Sequence, residues 1–244
     1  MKKIVAFILS LTMLMSLTAC GTEPATQPAP STTASEPSVS QREEPAPSTS
    51  SETDEESDAN NTLVVYFSLP ETDDPNDMTE EEENSTVIID GEVLGNTQYM
   101  AYVIQEQVGA DIFRIEAETP YPLDHDTLVD QAAEEQDQQA RPAIASQVEN
   151  MEDYNVVYLG YPNWWGDMPM ILYTFLEEYD LSGKTIIPFN THGGSGFSRT
   201  IDTIRELEPE AAVLDGLSIS RNSIQDAEQE IVNWVRDIQS QIEE

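Results

Sequence analysis

The 244 residues carry 47 acidic and only 10 basic side chains, a formal net charge of −37. A surface of that sign repels nucleic acid and anionic lipid headgroups alike, so neither is expected as a partner. One cysteine in the whole chain excludes an internal disulfide and any paired-cysteine metal or redox motif.

The chain opens with Met1-Lys2-Lys3 and the apolar run from Ile4 to Leu17. That run is too short to span a bilayer comfortably, and with its basic start it reads as a signal peptide over residues 1–19. Leu17-Thr18-Ala19-Cys20-Gly21 resembles bacterial lipoprotein signals. The resemblance implies that Cys20 is lipidated and becomes the first mature residue. From Thr22 to about Asn60 the sequence is rich in Pro, Ser, Thr, Ala and Glu, without Leu, Ile, Phe, Tyr or Trp. Such a stretch buries too little apolar surface to offset its ordering entropy, so residues 20–60 are expected to form an extended tether. The expected location is outside the cytoplasmic membrane, with the lipid as the only membrane contact.

Residues 61–244 suit one domain, in which apolar β-rich runs alternate with helical patterns. Strands are predicted over Leu63–Phe67, Ile112–Ile115, Asn155–Leu159, Thr185–Phe189 and, more weakly, Ala212–Leu214 running on toward Ile219. Helices are predicted over Thr97–Val108, 125–139, Met168–Tyr179, Phe197–Leu207 and Ile224–Ile238, the last with Ile231, Val235 and Ile238 on one face. Uniformly apolar strands alternating with helices imply a parallel sheet covered on both faces. Ligands of such sheets sit beyond the carboxyl ends of the strands, where strand order reverses.

The first strand runs into Ser68 and then an insertion, residues 69–94, before Gly95-Asn96-Thr97 opens a helix. Its first part is a polar, acidic excursion containing Glu80-Glu81-Glu82-Glu83. Its second, Val87 to Leu94, has two apolar arms around Asp90-Gly91, the signature of a tight hairpin. A hairpin returns the chain, so Ser68 can face Gly95, Asn96 and Thr97. Two hydroxyls, an amide, a glycine and the free N–H groups of a helix start can then hold a phosphate without Lys or Arg. The plainer alternative is a turn serine followed by a helix cap.

After the third strand comes Pro162-Asn163-Trp164-Trp165-Gly166, and adjacent tryptophans are costly to expose unless they meet something flat or apolar. After the fourth comes Thr191-His192-Gly193-Gly194-Ser195-Gly196, whose unencumbered backbone can read the polar edge of a heterocycle. His192 reads as a hydrogen-bonding loop residue. His125, between Asp124 and Asp126, reads as a surface residue, and two histidines so placed make no metal site.

With these loops placed, the sequence "YFS…GNT" followed by a "GYPNWW" loop resembles the flavodoxin family from about Thr62 to Ile238. The resemblance implies an α/β, three-layer doubly wound fold with a five-stranded parallel sheet of order 2-1-3-4-5, here carrying the inserted loop and hairpin, and noncovalent FMN. The phosphate loop then falls on Ser68, Gly95, Asn96 and Thr97. The ring-stacking loop falls on Pro162, Asn163, Trp164, Trp165 and Gly166, with the Gly166 carbonyl facing N5. The third flavin loop falls on Thr191, His192, Gly193, Gly194, Ser195 and Gly196. The tyrosine that family members often place in the third loop is absent. The function implied is electron transfer to a redox partner with a basic face. An FMN-dependent quinone or NAD(P)H oxidoreductase and a binding lipoprotein without flavin are the alternatives.

Overall fold

The computed structural model describes residues 61–242. The signal segment, Cys20 and the tether over 20–60 lie outside the described residues.

The main sheet is built from β1 (Thr62–Tyr66), β4 (Asp111–Arg114), β5 (Val156–Pro162), β6 (Thr185–His192), β7 (Ala212–Val213) and β8 (Leu217–Ser220). All its pairings are parallel, in the order β4-β1-β5-β6, with β7 and β8 both continuing along β6. In sequence-predicted strand numbers that order is 2-1-3-4-5. Alternate residues of β1 feed opposite cores: Val64 and Tyr66 pack with Met100, Ile104, Ile231 and Val235. Leu63 and Val65 pack with Leu159, Ile171, Phe175 and Ile204. Helices α2 (Asn96–Val108) and α6 (Glu228–Ile242) therefore cover one face, and α4 (Met170–Glu178) and α5 (Thr200–Leu207) the other. Helix α3 (His125–Gln138) joins this second face through Leu128.

The fifth predicted strand is two strands, and a proline is the reason. Leu214 N–H donates to the Ile186 carbonyl, and the next rung of a parallel ladder would come from the N–H of residue 188. Residue 188 is Pro, which has none. The edge chain leaves the sheet there and rejoins at Phe189↔Leu217. Gly216 crosses the gap against the Pro188 carbonyl, which an added Cβ would meet at 2.0 Å.

The insertion folds more completely than a polar excursion. Glu80–Ser85 forms helix α1, started by a capping box in which Glu82 N–H donates to Thr79 Oγ1 (3.2 Å) and Thr79 N–H to Glu82 Oε2 (2.7 Å). Four glutamates in its first turn sit favourably at the positive end of the helix. The hairpin follows as β2 (Thr86–Ile89) and β3 (Glu92–Gly95), and Asp90 and Gly91 both have positive φ, as a primed turn requires. β3 runs directly into α2.

Candidate functional site

The order of β4, β1, β5 and β6 reverses between β1 and β5, and a cavity of about 280 Å³ opens beyond their carboxyl ends. Ligand clefts generally run from roughly 300 Å³ upward, so this one lies at the small end of that range. Its lining draws on all three sequence-predicted loops and on α3.

The hairpin brings Gly95 against Ser68 so closely that a Cβ on Gly95 would lie 2.1 Å from Ser68 Oγ. Twenty-six residues of insertion thus leave the two lips of the loop in contact. Behind Ser68, its carbonyl accepts from Arg114 Nη2 at 3.2 Å, which places a guanidinium next to the loop. Thr97, in the first turn of α2, shares a buried hydrogen bond of 2.8 Å with Thr191 at the end of β6. A hydroxyl pair has one internal donor, so the second hydroxyl hydrogen stays free for another acceptor. Asn96 donates through Nδ2 to the Asn84 carbonyl (2.9 Å), while its Oδ1 is buried without a partner. The helix start adds N–H groups that lack intrahelical acceptors. Ser68, Asn96, Thr97 and Thr191 all line the cavity, and hydroxyls and helix-start N–H groups are the kind of donors that can hold an anion.

The aromatic loop splits its two tryptophans. Trp164 turns inward, edge-on to Phe67 (5.4 Å) and Tyr121 (5.6 Å), and is half-buried. Trp165 is 60% exposed, and its indole N–H reaches the Val129 carbonyl of α3 at 3.1 Å. Reciprocal backbone bonds between Trp164 and Asp167 close a two-residue turn in which Trp165 (φ +52°) and Gly166 (φ +77°) are both left-handed. A bulky residue at positive φ is strained, a cost tolerated mainly where a side chain must be presented. Trp164, Trp165, Pro162 and Asn163 line the cavity, whereas Gly166 does not. Its N–H is held by Asn163 Oδ1 at 3.1 Å.

In the third loop Thr191, His192 and Gly193 reach the cavity, and Gly194, Ser195 and Gly196 lie outside its lining. They shape the loop instead: the Gly196 carbonyl accepts from both Asn163 Nδ2 and Asn190 Nδ2 at 3.0 Å, locking the second and third loops together. Gly194 N–H donates to His192 Nδ1 at 2.8 Å. Partial burial also pushes the His192 imidazole below its ordinary pKa. The ring is thereby held neutral, with its proton on Nε2.

Three features were not read from the sequence. His125 is not a free surface residue: its Nδ1 meets the buried carboxylate of Glu71 at 2.8 Å, and both line the cavity. Arg221 lines it as well, its guanidinium 3.3 Å from the Cβ position of Gly193. Asn84 and Ser85, at the end of α1, complete the wall beside Glu71, whose N–H is tied to Ser85 Oγ at 3.1 Å. The capping box at Thr79 was the legible signal that the insertion has structure. Nothing in local sequence joins Glu71 to His125, which are 54 positions apart.

The flavodoxin family model matches residues 89–238, more than half of the chain, beginning within the hairpin. No curated protein matches the chain. Among solved structures, a protein described as a flavoprotein from Bacteroides eggerthii is 29% identical over 72% of this chain and 96% of its own, with a TM-score of 0.56. A second, from Bacteroides uniformis, is 26% identical over 67% and 94%, with a TM-score of 0.52. A flavoprotein from Lactobacillus acidophilus, solved in complex with FMN, is 17% identical over 67% and 95%, with a TM-score of 0.49.

Proposed function

This chain belongs to the flavodoxin family, and from that premise we propose that it holds FMN noncovalently and transfers electrons outside the cytoplasmic membrane, tethered through a lipid on Cys20. The observation that carries the reading is the cradle at the switch point, where Gly95 has room for no side chain against Ser68 and Thr97 is hydrogen-bonded to Thr191. Its donors fit a phosphate: hydroxyls and helix N–H groups, with the Arg114 guanidinium outside the lining and bonded to the Ser68 carbonyl. Asn96 Nδ2 is committed to the Asn84 carbonyl, so its contribution to the loop is positional.

In this reading Ser68 and Thr97 orient the phosphate, the Trp165 face and the apolar side of α3 at Leu128, Val129 and Ala132 exclude water from the ring, and His192 offers a fixed Nε2–H. Bound flavin supplies one- and two-electron chemistry. The −37 charge disfavours adding negative charge nearby and steers a redox partner with a basic face. The lipid anchor rests on the Leu17 to Gly21 motif alone. The absorption spectrum of the purified full-length protein, with and without added FMN, tests the cofactor; absence of bound flavin in both overturns it. Mass spectrometry of the mature N-terminus tests the lipid.

One observation favours a second reading, an FMN-dependent oxidoreductase. Both histidines of the chain line the one cavity, and one of them is paired to a buried carboxylate. Pure electron carriage needs no such pair.

A further inference from the structure

In a chain with 47 acidic and 10 basic side chains, a cation is expected to find a carboxylate, and several do. Arg114 meets Glu116, Arg141 meets Glu177, and Arg205 meets Asp202 and Asp215. Arg221 departs from that pattern. Among the described residues no carboxylate lies within ion-pairing distance of its guanidinium, and it is the only lysine or arginine in the cavity lining. The one carboxylate of that lining, Glu71, is already taken by His125 at 2.8 Å.

The fold holds this cation in place. Arg221 N–H donates to the His192 carbonyl at 2.9 Å, one residue past the His192↔Ser220 pair that ends β8. Ser223 N–H then donates to the Ser220 carbonyl at 2.8 Å and turns the chain away. Two residues on, Gln225 Nε2 reaches the Ile88 carbonyl of the hairpin at 3.0 Å. The side chain lies over the third loop, where its Cζ and Nη1 both come within 3.3 Å of the position a Cβ on Gly193 would take. A larger residue at 193 would crowd the guanidinium, so the glycine keeps its seat open.

We propose that Arg221 offsets the acidic surface at this cavity by stabilising the negative charge that FMN gains on reduction, so that the protein favours the reduced flavin. The inference rests on the FMN reading and concerns the charge of the bound ring. Two electrons and one proton added to oxidised FMN leave its ring with one negative charge; the electrons come from the redox partner and the proton from water. The surface carboxylates act across solvent and are screened beyond about 8 Å at physiological ionic strength. A cation in the lining stands next to whatever fills the cavity, with no counter-charge to cancel it, and a charge placed beside the ring is one of the means by which a protein tunes a flavin.

The test uses the full-length protein loaded with FMN or with riboflavin and titrated with dithionite without oxygen. The midpoint of bound against free flavin gives the ratio of the affinities for the two oxidation states, by linkage. Arg221→Gln is expected to weaken the reduced form of both flavins about tenfold and the oxidised form of both by less than about twofold. Arg221→Lys, which keeps the charge, should stay within about threefold of the parent for every form. Thermal unfolding of the flavin-free variants should match the parent, since the side chain is exposed. Equal weakening of oxidised and reduced FMN with riboflavin unaffected would make Arg221 a phosphate ligand and overturn the proposal, as would unchanged affinities throughout, and both outcomes leave the FMN reading intact. Failure of the parent protein to bind FMN overturns both.

Discussion

The two ends of the cavity solve the same problem by different physics. At the cradle, Ser68, Gly95, Thr97 and Thr191 are all buried, and Gly95 has no room for a methyl group against Ser68 Oγ. At the aromatic end, Trp165 is mostly exposed on a tight turn held at positive φ, with a single indole bond to α3. A small, highly charged group is held by fixed donors whose geometry cannot relax. A flat, apolar ring needs only a face, so an exposed and adjustable turn suffices.

That contrast can be broken by experiment. The largest effect is expected from Gly95→Ala, whose methyl group would collide with Ser68 Oγ. Overpacking of this kind costs about 1–3 kcal/mol, and the displaced cradle should lower FMN affinity about a hundredfold in a fluorescence titration. Adding Ser68→Gly should restore the thermal stability, since it removes the atom in the way. If Gly95→Ala alone binds FMN normally, the cradle is not rigid.

Next comes Thr97→Ala, which removes one hydroxyl from a charge-assisted set. It should weaken FMN about tenfold and riboflavin, which has no phosphate, by less than about twofold. Equal losses would place Thr97 in general packing. Trp165→Ala should show the opposite pattern, with FMN and riboflavin weakened alike by roughly three- to tenfold, the range of an aromatic contact. A selective loss of FMN affinity there would erase the distinction between the ends.

The smallest expected effect concerns His192, whose pKa is lowered by burial from its ordinary value of 6.5. The unfolded chain binds the proton first, so stability is full above about 6.5 and falls as pH drops below it. Replacing His192 by Gln should flatten that part of the curve in denaturant titrations between pH 7 and 5. The group is only partly buried, so the change will be small. A slope that survives the substitution would have to come from elsewhere.

Much of this was legible in the chain. The central strands β1, β5 and β6 announced themselves because they are buried on both faces and therefore apolar, whereas the strand order was implied by the family resemblance. Asp90-Gly91 marked the hairpin, because a primed turn needs residues that tolerate positive φ. The break in the edge strand could have been anticipated from Pro188, but only once Pro188 was known to lie beside that strand rather than elsewhere in the sheet. The two tryptophans looked equivalent in sequence, and they part company because a left-handed turn points one in and one out. His125 looked like a surface residue for the same reason, since adjacent acids describe chain neighbours and not what the fold brings opposite.

By itself, then, the sequence determined the layered α/β architecture, the loops that reach the cavity and the return of the insertion to its starting point. These follow from short-range rules of hydrophobic period, turn chemistry and helix capping. Only the tertiary structure decided that Thr97 would meet Thr191 across 94 positions and that Glu71 would meet His125 across 54. Contacts of that kind are set by which strands pair and how the insertion packs, and no local preference of either residue encodes them.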